Sequence, residues 1–498
     1  MDDRSSGSVE ARFEAYAEVL SQSLGHADRR APMRDYCLGL LMPIARKSVE
    51  PMAAVTAPGG VASQHQSLLH FVANAPWSDD AMLAQVRDVV LPMIERSGPV
   101  EAWIIDDTGF PKKGRHSVGV SRQYCGQLGS RRCRATPAAS RSAATARGKQ
   151  DNCQIAVSLS LANHDASLPI AYRLYLPAEW TADAVRRKAA KVPEAVVFKT
   201  KTEIALGQIE AACLAGLPRG AVLMDAAYGD DTQFRTSITS LGLTYGAGIR
   251  PNTSVWAPGS APVPTQPGTG RGRPRKRLQR DAEHHPIAVK ALALGLPATA
   301  WQTIRWREGS ADWLASRFAR LRVRPAHRDN LRTELRAEEW LLIEWPEGEA
   351  APTKYWLSTL PADVRFDELV DTAKLRWRIE RDYQDLKQEL GLGHYEGRSW
   401  RGFHHHATLC IAAYGFLIAE RAAIPPSAPS AAPNFSQPAI PSGYQPRGTA
   451  DPARTSHPKL DRNDATTSHH RPRKEPPEMP LLQRSHPHLQ QNPRFMTQ

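Results

Sequence analysis

Three acidic residues in this sequence stand where a metal-dependent site could form. Asp107 ends a short apolar run that predicts a strand, Asp225 ends another, and Glu380 lies in a predicted helix. In open α/β sheets, binding sites form in the crevice at the strand ends, so we expect these carboxylates to converge there. Carboxylates that meet repel one another unless cations neutralise them, which favours bound divalent metal. Two such ions would stabilise the attacking and leaving oxygens of a phosphodiester displacement.

Each of these acids also has an ordinary structural interpretation. An aspartate after a strand is more often a turn former or a helix cap than a metal ligand. Asp106 and Asp107 are neighbours on the same predicted strand, Val100 to Asp107, so only one of the two side chains can point into the crevice. A structural role is therefore favoured for Asp106.

The segment around Glu380, Leu375 to Leu390, predicts a helix with two stripes. At about 100° per residue, the first stripe is apolar and predicts packing on a core. It consists of Leu375, Ile379, Leu386 and Leu390. The second stripe consists of Arg376, Glu380, Tyr383 and Lys387. A carboxylate between two cations suits a metal ligand beside a phosphate-bearing substrate, because Arg and Lys bind phosphate oxygens. An amphipathic helix with solvated charges is the alternative.

The hydrophobic periodicity predicts five successive parts of the chain. The first part is helical and includes one helix from Met33 to Met52. Its basic surface either contacts DNA or is exposed to solvent without a partner. The second alternates strands and helices, which predicts a mixed α/β sheet that begins with a three-strand meander and contains a flexible insertion at 130–148. A β-rich insertion, closing helices and a Pro-rich disordered tail follow. The boundaries are 1–98, 99–249, 250–360, 361–422 and 423–498.

Composition indicates a polyanionic partner. The chain has 498 residues and a net charge of +13, which nucleic acid or an anionic membrane surface would balance. The sequence contains no apolar run of roughly 18 residues and no signal-peptide pattern, which predicts a soluble intracellular protein. The six cysteines form no Cys-x-x-Cys pair, so neither a disulfide framework nor a zinc site is indicated.

Several motifs in the same order resemble one enzyme family. They are Trp-Ile-Ile-Asp-Asp-Thr-Gly-Phe-Pro-Lys-Lys-Gly from 103, Gly-Val-Ser-Arg-Gln-Tyr-Cys-Gly-Gln-Leu-Gly from 119, Asn-Cys-Gln-Ile-Ala-Val-Ser-Leu from 152, Met-Asp-Ala-Ala-Tyr-Gly-Asp from 224 and Trp-Arg-Ile-Glu from 377. Together they resemble the DDE transposases of bacterial insertion sequences. The resemblance implies an RNase H-like α/β fold with a β-rich insertion before the glutamate helix. It also implies a catalytic, metal-binding triad of Asp107, Asp225 and Glu380.

The resemblance also implies residues that bind DNA. The family signature Tyr-x2-Arg-x3-Glu-x6-Lys assigns Arg376 and Lys387 to DNA near the cleaved phosphate, but its tyrosine position is Ala373 here. Arg271 and Arg273 lie in an Arg-Gly-Arg-Pro run that resembles a minor-groove hook, and a solvated basic loop is equally compatible with it. The histidine run 404–406 is expected at a helix start near DNA rather than in a joint metal site.

These features predict a transposase that binds double-stranded DNA, both its element's terminal repeats and target DNA. The family pattern implies Mg²⁺ as the cofactor, with Mn²⁺ as a substitute. It also implies that Asp107 and Glu380 hold one ion each and that Asp225 bridges the two ions. A homodimer on DNA is expected, because two element ends are brought together. The expected location is the bacterial cytoplasm, at the nucleoid and not at a membrane. The alternatives are a catalytically inactive DNA-binding derivative and a general nuclease on the same fold.

Overall fold

The structure is a computed structural model that describes residues 8–125, 150–263, 277–308 and 313–423. These residues belong to one compact unit, Met1–Ser427. Several predicted features lie outside the described residues: the insertion at 130–148, the basic pair Arg271 and Arg273, and the tail from residue 424 onward.

From residue 8 onward, five α-helices precede the first strand. Their bounds are Val9–Ser21, Arg30–Leu41, Val49–Thr56, Val61–Ala73 and Asp79–Ile94. The prediction of one helix from Met33 to Met52 is wrong. Helical structure stops at Leu41, because Met42 precedes Pro43 and a proline ring disfavours helical backbone at the residue before it. Met42 is accordingly extended, with a ψ of 146°.

The described ranges contain one large mixed sheet. Its strands are β1 Ala102–Pro111, β2 Ser121–Tyr124, β3 Gln150–Ala162, β4 Ser167–Leu174, β5 Ala221–Met224, β6 Tyr245–Ile249, β7 Ser254–Trp256, β8 Ile287–Ala288, β9 Gln302–Glu308, β10 Trp313–Pro325, β11 Glu339–Trp345 and β12 Lys354–Ser358. The strand order is β2-β3-β1-β5-β6-β12-β11-β10-β7-β8, with β4 also on β3 and β9 on β10. This mixed sheet with its helices confirms the predicted RNase H-like α/β class.

The strand pairing at the centre of the sheet determines where Asp106, Asp107 and Asp225 lie. β1 is antiparallel to β3 and β3 is antiparallel to β4, which confirms the predicted meander. β2 adds a short strand to β3 that the sequence analysis did not predict. On its other side β1 is parallel to β5, and β5 is parallel to β6. The predicted end of β1 at Asp107 is wrong, because pairing with β3 carries β1 on to Pro111. Asp106 and Asp107 lie just past the point where β1 stops pairing with β5, and Asp225 follows the end of β5 on the neighbouring strand.

The strands of the predicted β-rich insertion continue this sheet. β12 pairs with β6, and β11 and β10 follow in antiparallel order. Their buried side chains, among them Phe318 and Trp356, form a core with the helix Phe366–Lys374. The Lys374 ammonium lies inside that core, where it pairs with the buried Glu344 carboxylate and stands 4.3 Å from the centre of the Trp306 ring. The insertion is thus attached directly to the helix that leads towards Glu380.

The two faces of the central sheet are covered by different helices. One face carries Trp103 and Ile105 and packs against the helices Lys201–Leu214 and Thr232–Ser240. The remaining short helices of the described ranges are Ala178–Ala182, Ala184–Ala189, Ala226–Gly229 and Val289–Leu294. The opposite face carries Ile104 and packs against Ile379 and Tyr383. We call it the glutamate face.

Glu380 lies on the helix Trp377–Gln388, here called the glutamate helix. It begins two residues later than predicted, because Leu375 still belongs to the end of the preceding helix as its C-terminal cap. The predicted apolar stripe is confirmed, since all four of its residues are buried: Leu375, Ile379, Leu386 and Leu390. The helix is thereby fixed by its apolar stripe, and its second stripe faces the strand ends.

The last described helix, Trp400–Ala423, passes through the middle of the N-terminal helical layer. Tyr16 donates to the Ala412 carbonyl oxygen at 2.8 Å, and Arg12 binds the Glu420 carboxylate with two hydrogen bonds of 2.8 and 2.6 Å. The N-terminal helices therefore share one core with this helix.

The expectation that the histidine run 404–406 lies near DNA is wrong. All three side chains are buried. The His405 ring lies between the Val72 and Trp77 carbonyl oxygens and stacks on the Trp77 ring, and His406 hydrogen bonds with the Tyr36 hydroxyl. A helix that is buried around most of its circumference takes up polar side chains only when they find such partners.

A buried aspartate joins the glutamate helix to its neighbours and leads to a first prediction. Asp382 accepts hydrogen bonds from Ser167 at 2.5 Å and from Tyr414 at 2.9 Å, and burial raises its pKa to about 6. An acid whose pKa is raised by folding stabilises the fold most when it is protonated. This contribution is complete below about pH 4 and is lost as the pH rises through about 6.

Asp382→Asn removes the buried charge and keeps an oxygen that can accept both hydrogen bonds. We expect the variant to raise the free energy of unfolding at pH 7.5 by on the order of 2 kcal/mol, and to change it little at pH 4. Urea unfolding at both pH values measures this difference. Asp385→Asn is the control, because Asp385 pairs with Arg381 on the same helix and its replacement should not stabilise the protein. Equal effects of Asp382→Asn at the two pH values would contradict the explanation.

Candidate metal and phosphate site at the strand ends

The adjacent acids of β1 point to opposite faces of the sheet, as strand geometry requires. Asp106 follows Ile104 on the glutamate face. Its Oδ2 accepts a hydrogen bond from Arg376 at 2.8 Å, and its Oδ1 accepts one from the Asp107 amide at 2.8 Å. Burial raises the pKa of Asp106 to about 7, an effect that the Arg376 charge opposes and the Asp225 charge reinforces. Asp106 is therefore a desolvated carboxyl group held against a cation.

Asp107 lies on the opposite face, with Trp103 and Ile105. Its Oδ2 accepts hydrogen bonds from Lys201 Nζ at 2.7 Å and from the Tyr228 hydroxyl at 3.4 Å. The sequence assigned no role to either partner: Lys201 belongs to none of the motifs, and Tyr228 appears only as one residue of the motif that starts at 224.

Asp225 follows β5 and caps the one-turn helix Ala226–Gly229. Its Oδ1 accepts hydrogen bonds from the amides of Ala227 at 2.9 Å and Tyr228 at 3.4 Å. This is the helix-cap role that an aspartate after a strand usually has, and it leaves the second carboxylate oxygen available at the strand edge.

Glu380 and Arg376 bring the glutamate helix to these strand ends. Arg376 donates from Nη1 to Asp106 and from Nη2 to Glu380 Oε1, each at 2.8 Å. Although burial opposes the charged form of Arg376, the carboxylates of Asp106, Glu380 and Asp225 raise its pKa. The Glu380 side chain is 65% exposed, so apart from this ion pair it reaches into solvent beside the site.

The other members of the predicted second stripe line the same face. Lys387 donates to the Gly109 carbonyl oxygen at 3.0 Å and lies 4.9 Å from the Phe110 ring centre, and burial lowers its pKa to about 8. The Tyr383 hydroxyl hydrogen bonds with Ser158 at 2.8 Å and donates to the Asp106 carbonyl oxygen at 3.2 Å. Tyr383 therefore packs against the central sheet and holds β1 in place through these hydrogen bonds, and it does not face the candidate site.

The position of the missing family tyrosine lies away from this face. Ala373 is buried in the core between the insertion strands and the helix Phe366–Lys374. A tyrosine there would have to displace apolar neighbours in this packing. The part of the family signature that can be matched here is therefore Arg376, Glu380 and Lys387.

The donor chemistry of these residues suits a hard divalent cation, because all candidate ligands are carboxylates. In the described part of the chain, no three acidic, histidine or cysteine side chains already form a group that could hold a metal ion. Arg376 instead stands between Asp106 and Glu380. Metal binding at this place requires the Arg376 guanidinium to withdraw and the exposed Glu380 carboxylate to turn towards the strand ends.

The structure thus brings some of the predicted residues together and separates others. Arg376 joins Asp106 and Glu380 on the glutamate face, and Lys387 lies along it. Asp225 stands at the end of β5, where its charge raises the pKa of Arg376. Asp107 is turned to the opposite face.

Of the helices in the described residues, none is sufficiently long and apolar to cross a membrane.

Comparison with known proteins identifies the family. A family model described as DDE superfamily endonuclease matches residues 19–312. The chain is also similar to the probable transposase for insertion sequence element IS701 from Microchaete diplosiphon, with 26% identity over 219 residues. That match covers 44% of this chain and 48% of the relative, so it spans about half of the relative's length. The family match contains Asp107 and Asp225 and ends before Glu380. Since its residues make up more than half of the chain, this chain belongs to the DDE superfamily endonucleases.

Proposed function

We propose that this chain is a transposase. It binds the terminal repeats of its own element, hydrolyses a phosphodiester to free a 3′ hydroxyl, and directs that hydroxyl at target DNA. The observation that supports this most is the Arg376 guanidinium, which hydrogen bonds at 2.8 Å to both Asp106 on β1 and Glu380 on the glutamate helix of a DDE endonuclease. The similarity to a probable transposase of an insertion sequence element supports transposition among the endonuclease activities.

By the family pattern, Asp107, Asp225 and Glu380 would hold the divalent metal. Bound Mg²⁺, or Mn²⁺ in its place, would activate the attacking oxygen and stabilise the leaving oxygen. Both hydrolysis and strand transfer are in-line displacements at phosphorus, so one site can serve both steps.

The basic residues of the glutamate helix have a separate task. Arg376 and Lys387 are held by buried contacts on the glutamate face, which limits the rotamers open to them. A guanidinium and an ammonium placed there would bind the oxygens of the scissile phosphate and orient it against the carboxylates. We assign Arg271 and Arg273 to further contacts with DNA, in the minor groove.

The partners follow from this chemistry. Double-stranded DNA is the substrate, both as element ends and as target. Two ends have to be held together for transposition, so we propose a homodimer on DNA. Binding of chromosomal DNA would place the protein at the bacterial nucleoid.

Supercoiled plasmids with and without the element's ends test this function. We expect nicked and linear products from the plasmid that carries the ends, only when Mg²⁺ or Mn²⁺ is added. Equal cutting of both plasmids would instead identify a general nuclease. A gel shift of end-bearing DNA without any nicking would identify an inactive DNA-binding derivative.

A further inference from the structure

The parallel pairing of β1 with β5 shows which acid of β1 stands beside Asp225. Ile104 lies opposite Leu223, and both belong to the core of the glutamate face. The pairing ends there, and two residues further on stand Asp106, still on β1, and Asp225, the first residue after β5. Continued alternation puts both on the glutamate face. Asp107 is one residue out of step and points to the other side of the sheet.

Contacts across the site agree with this register. A single guanidinium, that of Arg376, binds the Asp106 and Glu380 carboxylates at 2.8 Å each. The Asp225 charge raises the pKa of both Arg376 and Asp106. One cation therefore already binds carboxylates from β1 and from the glutamate helix, beside the end of β5.

Asp107 is engaged elsewhere. Lys201, which begins the helix Lys201–Leu214 on the opposite face, forms an ion pair of 2.7 Å with its carboxylate. The Tyr228 hydroxyl, buried in the core of that face, approaches the same oxygen at 3.4 Å. These contacts match the charge of Asp107 and hold its side chain away from Glu380.

We propose that in this chain Asp106 takes the place that the family pattern gives to Asp107, and binds divalent metal together with Asp225 and Glu380. Arg376 neutralises these carboxylates until metal enters. Asp107 is then a positioning residue, which fixes the end of β1 through Lys201 and Tyr228. This inference rests on the proposed function, because it assigns a ligand of the metal site that the function requires.

The test compares Asp106→Asn with Asp107→Asn, two equal changes at neighbouring positions. Mn²⁺ is titrated into the full-length protein without DNA, and the free ion is measured by its electron paramagnetic resonance signal. We expect Asp106→Asn to weaken Mn²⁺ binding by about tenfold or more, and Asp107→Asn to change it by less than about threefold, because affinity follows the number of charged ligands. Circular dichroism melting establishes that each variant is folded.

The reverse result, loss of Mn²⁺ binding in Asp107→Asn and retention in Asp106→Asn, overturns the inference and leaves the proposed function standing. If the wild-type protein binds no Mn²⁺, the metal site itself fails, and the proposed function fails with it. The two failures are thus distinguishable.

If Asp106→Asn does not fold, a second pair of variants tests which of the two aspartates binds metal. Asp106→Cys and Asp107→Cys replace each carboxylate with a thiol, which as a thiolate prefers soft metals. We expect Cd²⁺ to produce a thiolate-to-metal absorption band, above the wild-type background, with Asp106→Cys and not with Asp107→Cys. A band with Asp107→Cys alone overturns the inference.

Discussion

Asp225→Asn is expected to lower metal-dependent cleavage by about a thousandfold, while affinity for the element's ends stays within about twofold. The substitution removes a negative charge that would lie between two metal ions. It leaves the fold intact, because asparagine caps a helix as well as aspartate does and can accept the same hydrogen bonds from the amides of Ala227 and Tyr228. Plasmid nicking and gel shift with the same protein preparation measure both quantities.

Asp231→Asn is a matched control for this variant. Asp231 caps the next helix, Thr232–Ser240, by accepting from two amides at 2.9 and 3.1 Å, the same arrangement that Asp225 has. We expect cleavage by this control to stay within about twofold of wild type, since any loss of cap stability is small. Retained cleavage in Asp225→Asn would remove Asp225 from the catalytic site.

Arg376→Gln is expected to have the second large effect. It takes the cation from between Asp106 and Glu380 and leaves these carboxylates facing each other. Cleavage should fall by about a hundredfold through loss of the phosphate contact. The free energy of unfolding should fall by about 2 kcal/mol without metal, a value reduced for the partial exposure of the pair.

Added Mn²⁺ separates the two roles of Arg376. Because the variant lacks the cation that competes with metal, Mn²⁺ should raise its melting temperature more than that of wild type. Arg381→Gln is the control on the same helix: Arg381 pairs with Asp385 rather than with the carboxylates of the site, so the melting temperature of this variant should respond to Mn²⁺ as that of wild type does. A melting temperature of Arg376→Gln that does not respond to Mn²⁺ would contradict a metal site at these carboxylates.

The sequence alone predicted the parts of this fold that follow from local periodicity. The apolar stripe of the glutamate helix and the meander of β1, β3 and β4 both follow from such periodicity. The sequence also predicted that Asp107, Asp225 and Glu380 converge at one place. The structure has Arg376 join Glu380 to Asp106 instead, and it turns Asp107 towards Lys201 on the opposite face.

The features that the sequence could not provide depend on contacts between distant segments. Alternation along β1 shows that Asp106 and Asp107 point to opposite faces, but only packing decides which face receives the glutamate helix. The partner of Asp107, Lys201, lies 94 residues away and carried no motif. The histidine run 404–406 was mistaken for a surface feature because its buried partners, such as Trp77, belong to the N-terminal helices.

Strand transfer is the activity that separates a transposase from a nuclease of the same family. A labelled duplex with the element's terminal repeat and a free 3′ hydroxyl is incubated with the protein, Mg²⁺ and unlabelled supercoiled target plasmid. We predict that label becomes covalently joined to nicked or linear target DNA in the wild-type reaction, and that Asp225→Asn yields none. Plasmid that is cut but never joined to the label would contradict a transposase and leave a nuclease of the same family.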